Sequence, residues 1–414
     1  MERNKQQGSA FILSLAVMAV LLLVMVTAAA RVRAESLSQR TRIEEARAES
    51  MALAAIARGM ASLQTIDPNV TTETDEWIDL GQSGGEAFTV GRDSFRLQVL
   101  DAGAFINLNV ATEEQLQILP VTQEQIDSLL DWREAELTPR SLGAKDDYYN
   151  QLTTPYNTAL RRFSTVQELL AVRGFTGATL YEPPTEETAR ATTSGAQTSQ
   201  LPLESLVTVD STSPLVAPDG SQKLNINTAQ VAQLVQRGIG QQAAQAIINQ
   251  RNVLGTYTTI GQVIQTPGLA TEDFVAILDT LQVGTLTEIE GRVNLNTASD
   301  DVLASIPGVT QDLVGAIAGR RGTFASLGEL ANLAGVTQEN LAQFADAFTV
   351  GSNVFLVRAM GQAGSRRVFR QALVKVTDGV PKVVRIETPP FADMDQRWNW
   401  SEEAETRTIL VEPQ

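Results

Sequence analysis

The sequence predicts an α+β fold in which a long N-terminal transmembrane helix packs on a small antiparallel sheet and a large all-helical insertion interrupts that sheet. Three observations lead to this prediction. An uncharged apolar run begins near the N-terminus, segments of strand character flank the middle of the chain, and three related helical segments lie between them. A chain of 414 residues with 43% hydrophobic side chains is long enough to bury several cores.

The composition excludes most familiar hydrolase mechanisms. The chain has no cysteine and no histidine, so disulfides, thiol nucleophiles, imidazole bases and the usual zinc ligands are all missing. Serine and lysine are present, but no spacing pairs a nucleophile with a base, and we predict a non-enzyme with no catalytic residues. The net charge of −16 argues against a nucleic-acid partner, because affinity for phosphates comes largely from lysine and arginine.

Residues 9–30 form an apolar run without a charged side chain. At 1.5 Å per residue, the run is long enough to cross a hydrocarbon core of about 30 Å. Three interpretations are open: a cleaved secretory signal, a plain membrane anchor, or a helix that is retained after a short leader is removed. The small residues Thr27 to Ala30 resemble a signal cleavage site, but the run exceeds the roughly 7–15 residues of a signal core.

The residues before this run resemble the leader of type IV prepilins and pseudopilins. Glu2, Arg3 and Lys5 make the segment charged, and it ends in Gly8. The resemblance implies that a prepilin peptidase cleaves between Gly8 and Ser9, that the new amine of Ser9 is methylated, and that the apolar run stays as a single membrane helix. It also implies that the chain is anchored in a bacterial inner membrane by a single pass and that its bulk is periplasmic or otherwise extracytoplasmic.

The fifth position after the predicted cleavage is Leu13. Most pilins carry a glutamate there, which pairs with the N-terminal amine of a neighbouring subunit. A carboxylate without a partner is costly in lipid, so its absence suits a subunit that has no neighbour ahead of it. The K-type pseudopilin of type II secretion is known for lacking this glutamate, and the resemblance therefore implies a position at the filament tip.

The helix is predicted to continue beyond the membrane. Residues 35–64 contain no proline, and Leu53, Ile56, Met60 and Leu63 recur at spacings of 3, 4 and 3, which predicts one apolar stripe. An Asp-Pro-Asn sequence then ends the helix. A short coiled-coil stalk is the alternative to a pilin-like spine. Alternating apolar and polar residues in the next segment predict the first strands of a sheet.

Three segments in the middle of the chain repeat one pattern, which is the most specific feature of the sequence. They open alike, as INLNVATEEQ from residue 106, LNINTAQVAQ from residue 224 and VNLNTASDDV from residue 293. Their second halves begin at Phe163, Tyr257 and Phe324. In each half a short helix ends at a Gly or Pro turn and a second helix follows, which is typical of the helix-hairpin-helix motif. The residues assigned to the hairpin turns are Gly240, Pro307, Gly308 and Gly335.

The helix-hairpin-helix motif is best known for binding DNA, but the charges in these repeats argue against that use. From residue 293 to 351 there are two arginines against six acids, and from 224 to 284 two arginines against three acids. Neither repeat therefore has a basic face. A membrane-anchored DNA-binding protein of the DNA-uptake type is the alternative function.

The segment between the two halves of the first repeat resembles the protein K family of type II secretion. Residues 131–176 contain a tryptophan near a helix end, a Gly-Ala pair, a Tyr-Tyr pair, a Pro-Tyr turn and a Glu-Leu-Leu-x-Val-Arg-Gly sequence, and residues 201–211 resemble the family's junction into its second helical unit. The matching positions are Trp132, Gly143, Ala144, Tyr148, Tyr149, Pro155, Tyr156, Glu168, Leu169, Leu170, Val172, Arg173 and Gly174. The chain departs from the family at Lys145, where an acid is common, and in having a third helical unit.

This resemblance implies a function in assembly. It implies a minor pseudopilin that caps the tip of the type II secretion pseudopilus and assembles with other minor pseudopilins. A minor pilin of a type IV pilus shares the N-terminal motif and is a further alternative.

Calcium is the one cofactor that the sequence suggests. Acids near the insertion supply oxygen atoms of the kind Ca²⁺ prefers. Because their spacing is not that of an EF-hand, no metal ligand is assigned. Those acids are Asp131, Glu134, Glu136, Asp146 and Asp147.

The remaining segments complete the predicted organisation. Residues 182–200 are rich in Thr, Ser and Pro and predict a flexible loop, whereas the segments after Gly351 predict a hairpin and a third strand, with Trp398 and Trp400 closing that sheet. The predicted domains are a leader (1–8), a transmembrane and spine helix (9–65), the first part of the sheet (66–105), a first helical unit with its insertion (106–181), a loop and junction (182–222), second and third helix-hairpin-helix units (223–286 and 287–350), and C-terminal strands (351–414).

Overall fold

A single long helix dominates the N-terminal part of the molecule. The computed structural model describes residues 3–72, 75–185, 201–391, 393–400 and 405–408, with side chains for 11–72, 75–185, 201–391 and 393–400. Helix α1 spans Arg3–Ser62, which at 1.5 Å per residue is about 90 Å. It contains an 18-residue window with a mean hydropathy of 2.8, none of it buried, so α1 is long and apolar enough to cross a membrane. The predicted N-terminal apolar helix is therefore confirmed.

The rest of the chain combines long strands near both ends with short helices and two-residue strands between them. The further helices are α2 (Glu76–Asp79), α3 (Glu113–Ile118), α4 (Gln123–Arg133), α5 (Asp146–Tyr149), α6 (Gly177–Tyr181), α7 (Val231–Gln236), α8 (Gln241–Leu254), α9 (Ile260–Ile264), α10 (Thr271–Thr280), α11 (Asp300–Ala304), α12 (Gln311–Ala318), α13 (Gln338–Phe344) and α14 (Met394–Arg397). Short 3₁₀ helices cover Leu80–Gly84, Ala102–Ala104, Val166–Ala171, Leu203–Ser205 and Leu327–Asn332. The strands are β1 (Glu86–Val90), β2 (Asp93–Asp101), β3 (Ile106–Asn107), β4 (Val207–Thr208), β5 (Thr212–Pro214), β6 (Leu224–Asn225), β7 (Leu281–Gln282), β8 (Glu288–Glu290), β9 (Val293–Asn294), β10 (Phe348–Thr349), β11 (Val354–Ala363), β12 (Arg366–Thr377), β13 (Val380–Glu387) and β14 (Glu405–Thr408).

One six-stranded sheet unites the two ends of the chain. Its strand order is β13, β12, β11, β2, β1 and β14. Neighbouring strands run antiparallel, except that β14 runs parallel to β1. The alternation in β2 buries Phe95, Leu97 and Val99 in the same core as Ile56 and Leu63 of α1. The α+β fold class, with a long apolar helix, an antiparallel sheet and a large helical region, is confirmed.

Helix α1 lies unusually close to the sheet because small residues meet at their contact. A Cβ atom on Gly361 would lie 1.9 Å from the carbonyl oxygen of Ala48, and a Cβ atom on Gly59 would lie 2.8 Å from Cγ1 of Val357. Ala52, one turn after Ala48, is fully buried. A larger side chain at either glycine would push the helix away from β11.

The helical head is inserted between two adjacent central strands. The chain leaves the sheet after Asp101, at the end of β2, and returns at Val354, at the start of β11, and these two strands pair along their length. Gly361 of β11 lies against Ala48, whereas Val357 lies against Gly59, farther along α1. The start of β11 is therefore at the end of the sheet farthest from the apolar segment of α1, and the head stands at that end.

Each helical unit is closed by a short parallel pair of strands. β3 pairs with β4 in the first unit, β6 with β7 in the second and β9 with β10 in the third. The first unit was predicted to end at residue 181, but the chain returns to it at β4, which pairs with β3 as the ends of the other two units do. Of the predicted loop and junction at 182–222, residues 186–200 lie outside the described residues.

An asparagine joins the two halves of every unit. The backbone amide of Phe163 donates to Oδ1 of Asn109 at 2.7 Å, and Nδ2 of Asn109 donates to the carbonyl oxygen of Phe163 at 3.0 Å. The same exchange joins Asn227 to Tyr257 and Asn296 to Phe324. Because both backbone groups of the aromatic residue are satisfied, this contact fixes where the second half of each unit begins.

The C-terminal tryptophans cover the face of the sheet opposite α1. Trp398 and Trp400 form a small core with Met360 and Phe369, and Nε1 of Trp400 donates to Oε1 of Gln98 on β2 at 3.2 Å. The C-terminal segment thus packs on the sheet before β14 pairs with β1.

Candidate assembly site

The predicted leader cleavage site lies in the first turns of α1. Gly8 and Ser9 have helical backbone, and their side chains lie outside the described residues. Cleavage between them and methylation of the Ser9 amine stay predictions.

Leu13 belongs to an apolar surface that no other described part of the chain covers. Phe11, Ile12 and Leu13 are 67%, 69% and 67% exposed. No charged side chain lies between residues 11 and 30. A helix with such a surface is stable in lipid or against other apolar helices. This part of α1 is therefore both a candidate membrane anchor and a candidate assembly surface.

The aromatic residues of the family segment form one cluster in the first unit. The ring of Tyr149 lies 5.3 Å from that of Trp132, edge to face, and 5.2 Å from that of Tyr156, stacked. Tyr148 meets Tyr149 edge to face at 5.2 Å. Trp132 and Tyr149 are almost fully buried, and burial raises the pKa of Tyr149 to about 12. The structure therefore brings these predicted positions together as an aromatic cluster that is buried at Trp132 and Tyr149 and exposed at Tyr148 and Tyr156.

Arg173 connects the inserted segment to this cluster by hydrogen bonds. Its backbone amide donates to the hydroxyl of Tyr149 at 3.1 Å, and Nη1 donates to the carbonyl oxygen of Gly143 at 3.2 Å. Its guanidinium lies 4.8 Å from the centre of the Tyr148 ring. The next residue, Gly174, has φ +84° and turns the chain. Arg173 and Gly174 thus hold the shape of the first unit.

Gly143 and Ala144 lie where the insertion crosses α4. A Cβ atom on Gly143 would lie 1.9 Å from Oδ2 of Asp131, and Ala144 is buried. The Asp131 carboxylate accepts from the backbone amide and Nη1 of Arg140, both at 3.0 Å. Glu168 accepts from the amide of Ser164 at 2.8 Å. The acids of this segment are engaged in contacts that hold its loops.

Lys145 provides a positive charge within the group of acids considered for Ca²⁺. Its ammonium donates to the carbonyl oxygens of Asp131 and Glu134, and Asp146 accepts from the amide of Thr158 at 2.7 Å. In the part of the chain that the structure describes, no group of three or more acids is placed to hold a metal ion.

The hairpin turns of the second and third units use glycine in two ways. Gly308, which follows Pro307, has φ +83° and Gly335 has φ +86°, so both occupy the left-handed region. Gly240 has φ −57° and precedes α8, while Gly238, with φ +92°, makes the turn in that unit. The amide of Gly240 donates to Oδ1 of Asp273 at 2.8 Å. A carboxylate of the same chain therefore occupies a position that a phosphate takes in DNA-binding hairpins.

Arg251, Arg320 and Arg321 of these two units are engaged within the molecule. Arg251 donates to the carbonyl oxygens of Ile226 and Ala229 at 2.7 and 2.8 Å. Arg320 pairs with Glu329 and Arg321 with Asp300. These contacts leave no basic surface around the described hairpins, in keeping with the charge counts of the sequence.

Two aspartates at equivalent positions of the second and third units cap each other's helices. Asp279 of the second unit accepts from the amide of Gly328 at 2.6 Å. Asp346 of the third unit accepts from the amides of Ile260 and Gly261 at 3.1 and 2.9 Å. These caps were not predicted from the sequence, although the alignment of the repeats places both aspartates four residues before a valine. The exchange joins the two units across an approximate twofold axis.

Comparisons with known proteins support the resemblances drawn from the sequence. Residues 108–182 match the family described as Type II secretion system (T2SS), protein K, and residues 219–282 and 289–349 match the helix-hairpin-helix motif. Both predicted resemblances are confirmed. No curated protein matches the chain. Among solved structures, a chain of the GspK-GspI-GspJ complex from the enterotoxigenic Escherichia coli Type 2 Secretion System is 17% identical, with a TM-score of 0.42 over 87% of this chain and 100% of that chain.

Proposed function

We propose that this chain, whose residues 108–182 carry the protein K region of type II secretion, is a minor pseudopilin that supports protein export by assembly. One observation carries the proposal: the family region lies in a helical head inserted between two central strands of a sheet that packs on a long apolar helix. The family match supports a role in secretion, and the exposed apolar helix supports assembly as the mechanism. The proposal requires no covalent chemistry carried out by the chain itself and no cofactor.

The apolar part of α1 fits single-pass membrane anchoring. We infer that the membrane is the bacterial inner membrane and that the sheet and head lie in the periplasm. During assembly this helix leaves lipid and packs against the helices of other minor pseudopilins. Because lipid chains are as apolar as leucine, the change is driven by close packing between helices and by loss of lipid contacts rather than by the hydrophobic effect alone.

We propose that the subunit occupies the tip of the pseudopilus. Leu13 replaces the glutamate that in most pilins pairs with the neighbour ahead, and a subunit at the tip has no such neighbour. The head stands at the end of the sheet opposite the apolar segment. Its bulk there would hinder the addition of a subunit above it, and the missing carboxylate would disfavour that addition further, so assembly would continue below it.

The decisive experiment identifies the amino-terminal residue of the membrane-extracted protein in cells that contain a prepilin peptidase. We expect Ser9, N-methylated, as the first residue. Gly8→Ala should keep the leader attached and raise the mass by that of the leader. Gly177→Ala, which lies far from the leader and whose Cβ atom would meet nothing within 4 Å, should be processed normally. A start at Met1 would indicate a plain anchor, a start after Ala30 would indicate an exported soluble protein, and either result would refute the proposal.

A further inference from the structure

The second and third helical units meet at a cavity of about 270 Å³ that the proposed assembly function does not use. Two basic residues at equivalent positions of the repeat line it: Lys223 directly precedes β6, and Arg292 directly precedes β9. Lys223 is 8% exposed, and the side chain of Arg292 is 10% exposed. The approximate twofold relation of the units thus brings two buried cations to one cavity.

The donors of these two cations are incompletely used. Nε of Arg292 is buried and has no hydrogen-bond partner among the described residues. Nη2 of Arg292 lies 3.7 Å from Oδ1 of Asp346, which is an ion pair but is longer than a hydrogen bond. The ammonium of Lys223 donates to the carbonyl oxygen of Leu278 at 2.6 Å, and an ammonium has three N–H groups. Donors that line a cavity in this way are free to bind an acceptor from outside the chain, either water or a ligand.

The acids near the cavity do not supply this acceptor. Asp279 accepts from Ser326 and Gly328, and Asp346 accepts from the amides at the start of α9. Asp67 and Asp219 are exposed at the rim, where each accepts from an amide of its own turn. Asp279 and Asp346 are only part-buried, but both are carboxylates close to the two cations. Their negative charge makes the site favour a ligand with one negative charge over one with two.

We propose that this cavity binds a carboxylate group, held by the guanidinium of Arg292 and the ammonium of Lys223. A guanidinium matches the two oxygens of a carboxylate in one plane, and such charged hydrogen bonds are strong where water is excluded. The carboxylate belongs either to a small free acid or to the end of a peptide, and the two sources share this chemistry. Inorganic phosphate, which is largely a dianion above pH 7, binds less well because of the nearby aspartates.

Proton uptake is expected to accompany binding. Burial, with the nearby Arg292, lowers the pKa of Lys223 to about 7. At pH 8 the unliganded lysine is therefore mostly neutral, and a carboxylate beside it raises its pKa and draws a proton from solvent. A neutral ligand of the same shape has no such effect.

The test is calorimetric titration of the full-length protein in detergent at pH 8. The probes are N-acetylglycine, its neutral match N-acetylglycinamide, propionate and inorganic phosphate. We expect N-acetylglycine to bind with uptake of close to one proton, measured from the heats in HEPES and Tris, and the amide not to bind. Tighter binding of N-acetylglycine than of propionate identifies a peptide end as the ligand, and the reverse order identifies a free acid. Equal binding of the acid and the amide, no binding, or tighter binding of phosphate overturns the proposal.

Variants test the two cations separately. Arg292→Gln should weaken binding of N-acetylglycine about tenfold or more, whereas Arg321→Gln makes the same charge change in the same unit and should not alter it. Lys223→Met should abolish the proton uptake. If Arg292→Gln does not fold, as judged by circular dichroism, Arg292→Lys keeps the charge but loses the planar fork and should still weaken binding. Wild-type affinity in folded Arg292 variants contradicts the assignment.

Discussion

At the scale of single residues, the packing around Gly143 explains why the family segment has a glycine at this position. No side chain fits there, because a Cβ atom would overlap the buried carboxylate of Asp131, which Arg140 holds in place. Gly143→Ala is therefore expected to lower the free energy of unfolding by about 1–3 kcal/mol. Gly177→Ala is the matched control, since its Cβ atom would meet nothing within 4 Å. Urea unfolding followed by tryptophan fluorescence measures both, and equal midpoints for the two variants would contradict the packing described.

Lys223 gives a second prediction at this scale, on the pH dependence of stability. Its pKa falls from 10.5 to about 7 on folding because it is buried, with Arg292 nearby, while Asp279 and Asp346 oppose the change. The unfolded chain thus binds more protons between these values, so the free energy of unfolding rises with pH from 7 to 9. Tyr149 and Tyr181, with pKa values of about 12, do not titrate in this range.

Lys223→Met should remove this rise, which is at most about 1.4 kcal/mol per pH unit. The measurement is urea unfolding of both proteins at pH 7, 8 and 9. An equally steep rise in the variant would show that another group causes it.

At the scale of secondary-structure elements, the reciprocal caps between the second and third units set their relative position. Asp279→Ala leaves the amide of Gly328 without its acceptor at a part-buried site, and the expected loss is about 1–3 kcal/mol. Asp147→Ala is a control, because that aspartate is exposed. Hydrogen exchange of the Gly328 amide should be faster in Asp279→Ala than in the control. Unchanged exchange would mean that the cap contributes little to the contact between the units.

The elements that local patterns specify were predictable, and those that depend on distant partners were not. The 3-4-3 spacing of apolar residues predicted α1, and alternation predicted strands such as β2 and β11, because each pattern is contained in one segment. The Asn-x-Asn sequence repeated in the chain was visible, but its pairing with Phe163, Tyr257 and Phe324 depends on residues about 30–50 positions away. β4 was not predicted either, because a strand of two residues is too short to show an alternation of apolar and polar side chains. At the candidate site, the family positions were found by resemblance, whereas the aromatic cluster around Tyr149 and the contacts of Arg173 required the structure.

At the scale of the whole molecule, the helix-hairpin-helix units are expected to serve as a structural head rather than a DNA clamp. Arg320 and Arg321 pair with acids of the same chain, and the amide of Gly240 donates its hydrogen bond to the carboxylate of Asp273. The full-length protein should therefore show no salt-sensitive binding to duplex DNA, because few phosphate contacts are available to release counterions. Fluorescence anisotropy with a labelled duplex at 50 and 200 mM salt measures this. Affinity at physiological salt that falls steeply with added salt would favour the DNA-uptake alternative.

The absence of a carboxylate at Leu13 makes a prediction about where the whole subunit can stand in a filament. Leu13→Glu restores the group that in most pilins meets the amine of the neighbour ahead, and the variant should still insert, since one glutamate in an apolar run is tolerated near its end. Once in the filament, however, a subunit with this carboxylate can add below another subunit as well as at the tip. The variant should therefore be found along the pseudopilus. Cysteine cross-linking to other pilin-like subunits, with a cysteine introduced in the exposed part of α1, measures this position. On the proposed tip position, the wild-type chain is expected to cross-link only to subunits below it. Leu13→Gln is the matched control, because glutamine is similar to glutamate in size and polarity but carries no charge. This variant should behave as the wild type. Identical cross-linking patterns for Leu13→Glu and wild type would show that the bulk of the head, rather than the missing carboxylate, restricts the subunit to the tip.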